Sequence, residues 1–86
     1  MGKQMKLWKV YRTDEVGYDE YEYIICAALT PEFALTVKPL DSNKHPAEWE
    51  GLFGDPSEVK LAVEQVGYAL AGVKSGAVIA SMYRAG

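Results

Sequence analysis

Apolar and polar residues alternate with a period of two along several stretches of the chain. Between Leu7 and Thr13, Trp8, Val10 and Tyr11 are interleaved with Lys9 and Arg12, which predicts a strand. Asp14-Glu15-Val16-Gly17 reads as a turn, with Gly17 free to take positive φ. Tyr18 to Ala28 predicts a second strand. Tyr21, Tyr23, Ile25 and Ala27 share one face, and Glu22, Ile24, Cys26 and Ala28 the other. Its polar start and apolar end carry it into the core, and it pairs with the first strand as an antiparallel hairpin.

The period then changes. Thr30 suits an N-cap, Pro31 the first helical position, and Glu32 the positive end of the helix dipole. Phe33, Ala34 and Val37 follow at helical spacing and are expected to pack on the sheet. Pro39 stops the helix after about two turns, because the residue before a proline avoids the α region. Leu40 to Pro56 is irregular, punctuated by Pro46, Gly51, Gly54 and Pro56. It contains Trp49, Leu52 and Phe53, which must fold back on the core or form a contact surface.

Ser57 to Leu70 alternates again and predicts a third strand, with Gly67 marking a bulge. Residues 71–76 are turn material, and Ala77 to Tyr83 predicts the last strand. The expected order is β-β-α-β-β. Two hairpins joined through a helix give an α+β fold, a small antiparallel sheet of about four strands with one short helix packed across it.

At 86 residues the chain is expected to form a single small domain, 1–86. Its hydrophobic content of 49% against 24% charged is that of a globular protein. A chain this short buries a small share of its surface, so burial against further copies in a homo-oligomer is expected. The net charge of −3 argues against general nucleic-acid binding, which needs a basic stripe. One cysteine allows no internal disulfide, which fits a reducing cytoplasm. No apolar run approaches the roughly 20 residues of a membrane helix. Residues 1–6 lack the apolar core of a signal peptide, and Lys6 stands where a myristoylation motif wants Ser or Thr.

No catalytic set emerges. Gly67 to Ser75 resembles a phosphate loop only superficially. Val73 separates the second glycine from Lys74, and a strand, not a helix, is expected to follow, so a hairpin turn is the better reading. Asp14, Glu15, Asp19, Glu20 and Glu22 lack calcium-loop spacing and read as a solvated acidic edge. His45 sits beside Pro46 in a loop, where a lone histidine is inert. Cys26 lies in the run Ile24-Ile25-Cys26-Ala27-Ala28 and reads as a small core residue. No metal and no cofactor are expected.

Six tyrosines and two tryptophans exceed what so small a core hides. They serve either cross-strand pairing or recognition surfaces. Arg12 and Arg84 are the only arginines, and guanidinium matches phosphate bidentately. Lys38, Lys44 and His45 form a weaker basic cluster. The expected ligand-binding set is therefore Arg12, Tyr18, Lys44, His45, Trp49 and Arg84.

Several segments together resemble a family of small phage and prophage proteins with no assigned activity. These are Trp8 to Arg12, Val16-Gly17-Tyr18-Asp19-Glu20-Tyr21, the strand ending in Ala27-Ala28, the opening Thr30-Pro31-Glu32, Val66-Gly67-Tyr68-Ala69, and Gly76 to Gly86. Where such proteins favour Phe-Asn before a closing Ala-Gly, this chain has Tyr83-Arg84. The resemblance carries over no site residues. It implies a class of task in the cytoplasm of an infected or lysogenic bacterium. One such task is counter-defence by sequestering a small nucleotide-like immune signal at a subunit interface. Another is inhibition of a host defence protein through the acidic hairpin, and a third is a structural role in the phage. Each of these is non-enzymatic.

Overall fold

The structure, a computed structural model, describes residues 5–17, 20–51 and 56–84. Four strands are present: β1 (Lys6–Arg12), β2 (Glu20–Ala28), β3 (Leu61–Tyr68) and β4 (Val78–Arg84). A one-turn helix, α1 (Pro31–Ala34), follows β2, and a 3-10 turn (Pro56–Glu58) precedes β3. The fold is mostly sheet, and the helix is a minor part of it.

The four strands form one antiparallel sheet in the order β3-β1-β2-β4. The β1–β2 hairpin lies at its centre, as the alternation predicts. The second expected hairpin does not exist. β3 adds to β1 and β4 adds to β2, so two strands adjacent in sequence occupy opposite edges. The physical reason is burial. Val10 and Ile24 on the central strands are fully buried only because each strand is flanked on both sides. The 69–77 connection runs across the end of the central hairpin and is pinned there. Ala69 N–H donates to Met5 O (2.9 Å), Gly76 N–H to Ala27 O (2.8 Å), and Ala27 N–H to Ala77 O (2.9 Å). Gly76, at φ +89°, makes the turn into β4 in a region that side-chain-bearing residues avoid.

Trp8 stands opposite Cys26, and Val10 stands between Ile24 and Val63, so these residues share one face. Ala28, Ala34 and Trp49 complete the buried cluster, with Val37, Ala47, Val59 and Leu61 packed at its margin. Trp8 Nε1 donates to Ala28 O at 3.0 Å, which satisfies the indole in the core. Tyr21 joins this cluster too. Simple alternation would place it with Tyr23 and Ile25. The pairing with β4 shifts between Tyr21 and Tyr23, leaving Glu22 as an extra residue, and a bulge of this kind reverses the facing of what precedes it. A second bulge falls opposite Leu7 and Trp8, where Val66 is the extra residue beside Gly67, the position the sequence marks.

Thr30 caps α1 as expected, its Oγ1 accepting from Phe33 N–H at 3.2 Å, with Pro31 in the first turn. The helix is one turn and not two. Thr36 and Val37 N–H groups donate to Phe33 O and Ala34 O, a tighter i→i+3 pattern that closes it. Ala34 reaches the core, but Phe33 is exposed. A helix so short cannot cross the sheet, and the following segment, through Val37, Ala47 and Trp49, covers the core instead. Of the three large apolar loop residues, Trp49 folds inward, while Leu52 and Phe53 lie outside the described residues. The third strand begins at Leu61, four residues later than the alternation suggests, because the 3-10 turn occupies its expected start. Among the described residues, no helix is long and apolar enough to cross a membrane.

Candidate functional site

A groove of about 570 Å³ lies beside β4. One wall is the turn from Leu40 to Lys44, and the other is β4 from Val78 to Tyr83, with Tyr21 at the base. That volume falls within the range of small-molecule sites.

The turn is closed by its own hydrogen bonds. Asp41 Oδ1 accepts from the backbone N–H of Asn43 (2.9 Å) and of His45 (3.0 Å), a side-chain-closed turn. Lys44 N–H donates to Asp41 O at 2.9 Å, and Lys44 adopts φ +63°, in the left-handed region that side-chain-bearing residues seldom enter. These hydrogen bonds hold the Asp41 carboxyl below the usual carboxylate range, so it is ionised at neutral pH. Leu40 N–H donates to Ser81 Oγ at 3.0 Å and fastens the turn to β4. Tyr21 and Tyr83 meet edge to face, ring centroids 4.9 Å apart. Burial, reinforced by the Asp41 charge, pushes the Tyr21 phenol upward, so it stays protonated and neutral.

The groove thus presents one carboxylate (Asp41), one ammonium (Lys44), the hydroxyls of Ser42 and Ser81, and the ring of Tyr83, which is 45% exposed. It suits a small ligand with a flat apolar part and a polar edge.

The expected binding residues are not gathered there. Of the six, Lys44 alone lines the groove. His45 is exposed and does not line it; its backbone N–H and C=O are both bonded to Asp41. Trp49 is buried in the core, its ring unavailable for stacking. Arg84 extends β4 beyond Tyr83, donating from Nη1 to Val16 O at 3.0 Å, with Nε 3.9 Å from Glu22 Oε1. Tyr18 lies outside the described residues.

Arg12 belongs to a different construction. Its side chain is 2% exposed, and it serves as a cross-link. Nε donates to Asp14 Oδ1 at 2.8 Å, Nη2 reaches the other Asp14 oxygen and Glu20 Oε1 (3.0 Å), and Nη1 donates to Trp49 O (3.1 Å) and Tyr21 O (3.4 Å). Asp14 also accepts from Lys60 N–H at 3.0 Å. One guanidinium thereby ties the end of β1, the start of β2, the loop at Trp49 and the entry to β3. The Arg12 hydrogen bond holds Asp14 down to about 2 and, against the opposing pull of burial, raises Arg12 itself. The acidic hairpin is therefore partly neutralised from within.

The sequence carried weak signals for the groove. Asp41-Ser42-Asn43-Lys44 is a run of turn formers, and Ser81 is a lone polar residue within an apolar strand. Nothing local to either indicates that they meet. Cys26 is fully buried, and burial pushes its thiol to about 11, which leaves it un-ionised. Among the described residues, no three His, Cys, Asp or Glu side chains come together as a metal would require. Comparison of the chain with protein-family models, with curated proteins and with solved structures finds no match.

Proposed function

We propose that this chain is a non-enzymatic binding module that holds a small nucleotide-like ligand in the groove beside β4, as part of a homo-oligomer. The groove carries this reading. Tyr83 offers a half-exposed ring on which a base can stack. Ser42, Ser81 and Asp41 offer hydrogen-bond partners for a base edge or a sugar, and Lys44 offers a point charge for phosphate. The action is stoichiometric: binding removes the ligand, and no bond is made or broken. The resemblance to phage and prophage proteins supports counter-defence as the setting, where trapping a nucleotide-derived signal in the cytoplasm needs no turnover.

The alternative inhibitor acting through the acidic hairpin is less favoured. Asp14 and Glu20 are committed to Arg12, and Glu22 stands near Arg84. A surface that mimics nucleic acid needs its carboxylates outward and unneutralised.

Calorimetric titration with mononucleotides, cyclic nucleotides and short oligonucleotides tests the proposal. Saturable binding of at least one of them is expected. Lys44→Ala and Tyr83→Ala should each weaken it about tenfold, or roughly 1.4 kcal/mol. Absence of binding by every nucleotide at millimolar concentration refutes it, as does binding that both variants leave unchanged.

A further inference from the structure

We infer that Asp41 makes the groove selective for guanine, by accepting from the two adjacent N–H donors of that base. This deepens the proposed function and rests on its reading that the groove takes a nucleotide.

The Asp41 carboxylate is held in place and only half used. Oδ1 accepts from Asn43 N–H (2.9 Å) and His45 N–H (3.0 Å), which fills both of its lone pairs. The backbone of the same residue is bonded in both directions. Its N–H donates to His45 O and its C=O accepts from Lys44 N–H, each at 2.9 Å. Oδ2 has no partner among the described residues, and Asp41 lines the groove. An ionised carboxylate accepts and never donates. The turn therefore fixes a pure acceptor before any ligand arrives, which lowers the ordering cost of binding. Its charge reaches the base of the groove, where it adds to the burial that keeps the Tyr21 phenol protonated.

The bases differ in what they offer such an acceptor. Adenine and cytosine each place one amino group beside a bare ring nitrogen. Uracil places one N–H between two carbonyl oxygens. The lone pairs of these neighbours repel a carboxylate. Guanine sets two donors side by side, N1–H and the 2-amino group, and the two lone pairs of Oδ2 match them. A base lying against Tyr83 on the β4 wall turns its edge toward the opposite wall, which is the turn that carries Asp41.

Lys44 lines the same groove, and its ammonium has no ion pair among the described residues, so it remains for phosphate. Selectivity and phosphate attraction thus fall to different residues of one turn. A metal ion is the poorer occupant. One carboxylate beside an ammonium lacks the several oxygen ligands that a hard cation takes, and the described residues gather no further acidic or imidazole groups there.

Calorimetric titration of the full chain with guanosine, inosine and adenosine monophosphates tests this. Inosine monophosphate is the guanosine compound without its 2-amino group. Guanosine monophosphate should bind about tenfold more tightly than either of the others, the value of a hydrogen bond to a charged group. Asp41→Asn keeps Oδ1, and with it both backbone bonds of the turn, while exchanging the free oxygen for an NH2 donor. With circular dichroism unchanged, it should abolish the preference. Lys44→Ala should leave the preference in place. Equal binding of guanosine and inosine monophosphates overturns the inference, as does a guanine preference that survives Asp41→Asn or that Lys44→Ala removes. The comparison of those two ligands needs no variant, so it decides the matter even where the substitution disturbs the turn. Absence of binding by all three at millimolar concentration overturns the inference too; with absence across the wider nucleotide set, the nucleotide reading falls as well. Binding without preference for guanine overturns this inference alone.

Discussion

Replacing Arg12 with methionine should cost the protein a large part of its stability. Methionine retains an aliphatic stem of similar reach and removes the guanidinium. The substitution removes one of the two donors to the carbonyl of Trp49, the other being Tyr21 N–H, and leaves the Asp14 carboxylate, 10% exposed, with no cation. Removing one partner of a buried ion pair costs about 3–5 kcal/mol. A domain of this length has a total stability of roughly 4–13 kcal/mol. The expected shift in melting temperature is therefore on the order of 15–30 °C. Urea unfolding followed by tryptophan fluorescence is the direct assay, since Trp8 and Trp49 both report from the core. Acid supplies a second arm. Asp14 is held at about 2 in the folded protein against an ordinary 3.8. Its folded value is the lower one, so its stabilisation is complete above about pH 4 and disappears as the pH falls through 2. That contribution is roughly 2 kcal/mol. Arg12→Met should remove this acid step along with the neutral-pH stability. A loss below about 1 kcal/mol, the value of an exposed pair, would refute the reading of Arg12 as a buried cross-link. An undiminished acid step in the variant would do the same.

Two further outcomes follow from the fold. Cys26, fully buried and with its thiol pushed to about 11, should resist thiol reagents at pH 8 in the folded protein and react at the rate of unfolding; prompt titration of one thiol per chain would show that it is accessible. Thr30→Ala should cost about 1 kcal/mol in urea unfolding, by removing the hydroxyl that accepts from Phe33 N–H; no measurable loss would mean that α1 is held by Ala34 alone.

The central hairpin, the capped helix start and the bulge beside Gly67 were legible because each is a local statement. Alternation marks Trp8 and Val10, capping marks Thr30 and Pro31, and an interrupted period marks Gly67. The placement of β3 and β4 was not legible. Their separation by turn residues suits a hairpin equally well, and only the need to cover both flanks of Val10 and Ile24 decides against one. Tyr21 was assigned to the wrong face because a bulge at Glu22 reverses the alternation without any mark in the sequence. Arg12 drew attention as a possible anion ligand, and its charge is indeed used, but on Asp14 and Glu20. The groove was missed because it joins residues some forty positions apart, such as Leu40 and Ser81, through one hydrogen bond that no spacing announces.

The edge-to-edge course of the chain between β3 and β4 has a consequence for how the molecule assembles. Lys6 pairs with Tyr68 and Glu20 with Arg84, so both outer strands are recruited from far along the chain onto a hairpin made early. A lone two-stranded hairpin is marginal in water. Neither flank can dock on a stable half-molecule, because the Trp8–Ile24 face is complete only when both have arrived. The buried face is thus complete only once the last strand has paired, and a nascent chain ending before β4 leaves that side of β2 without its partner strand.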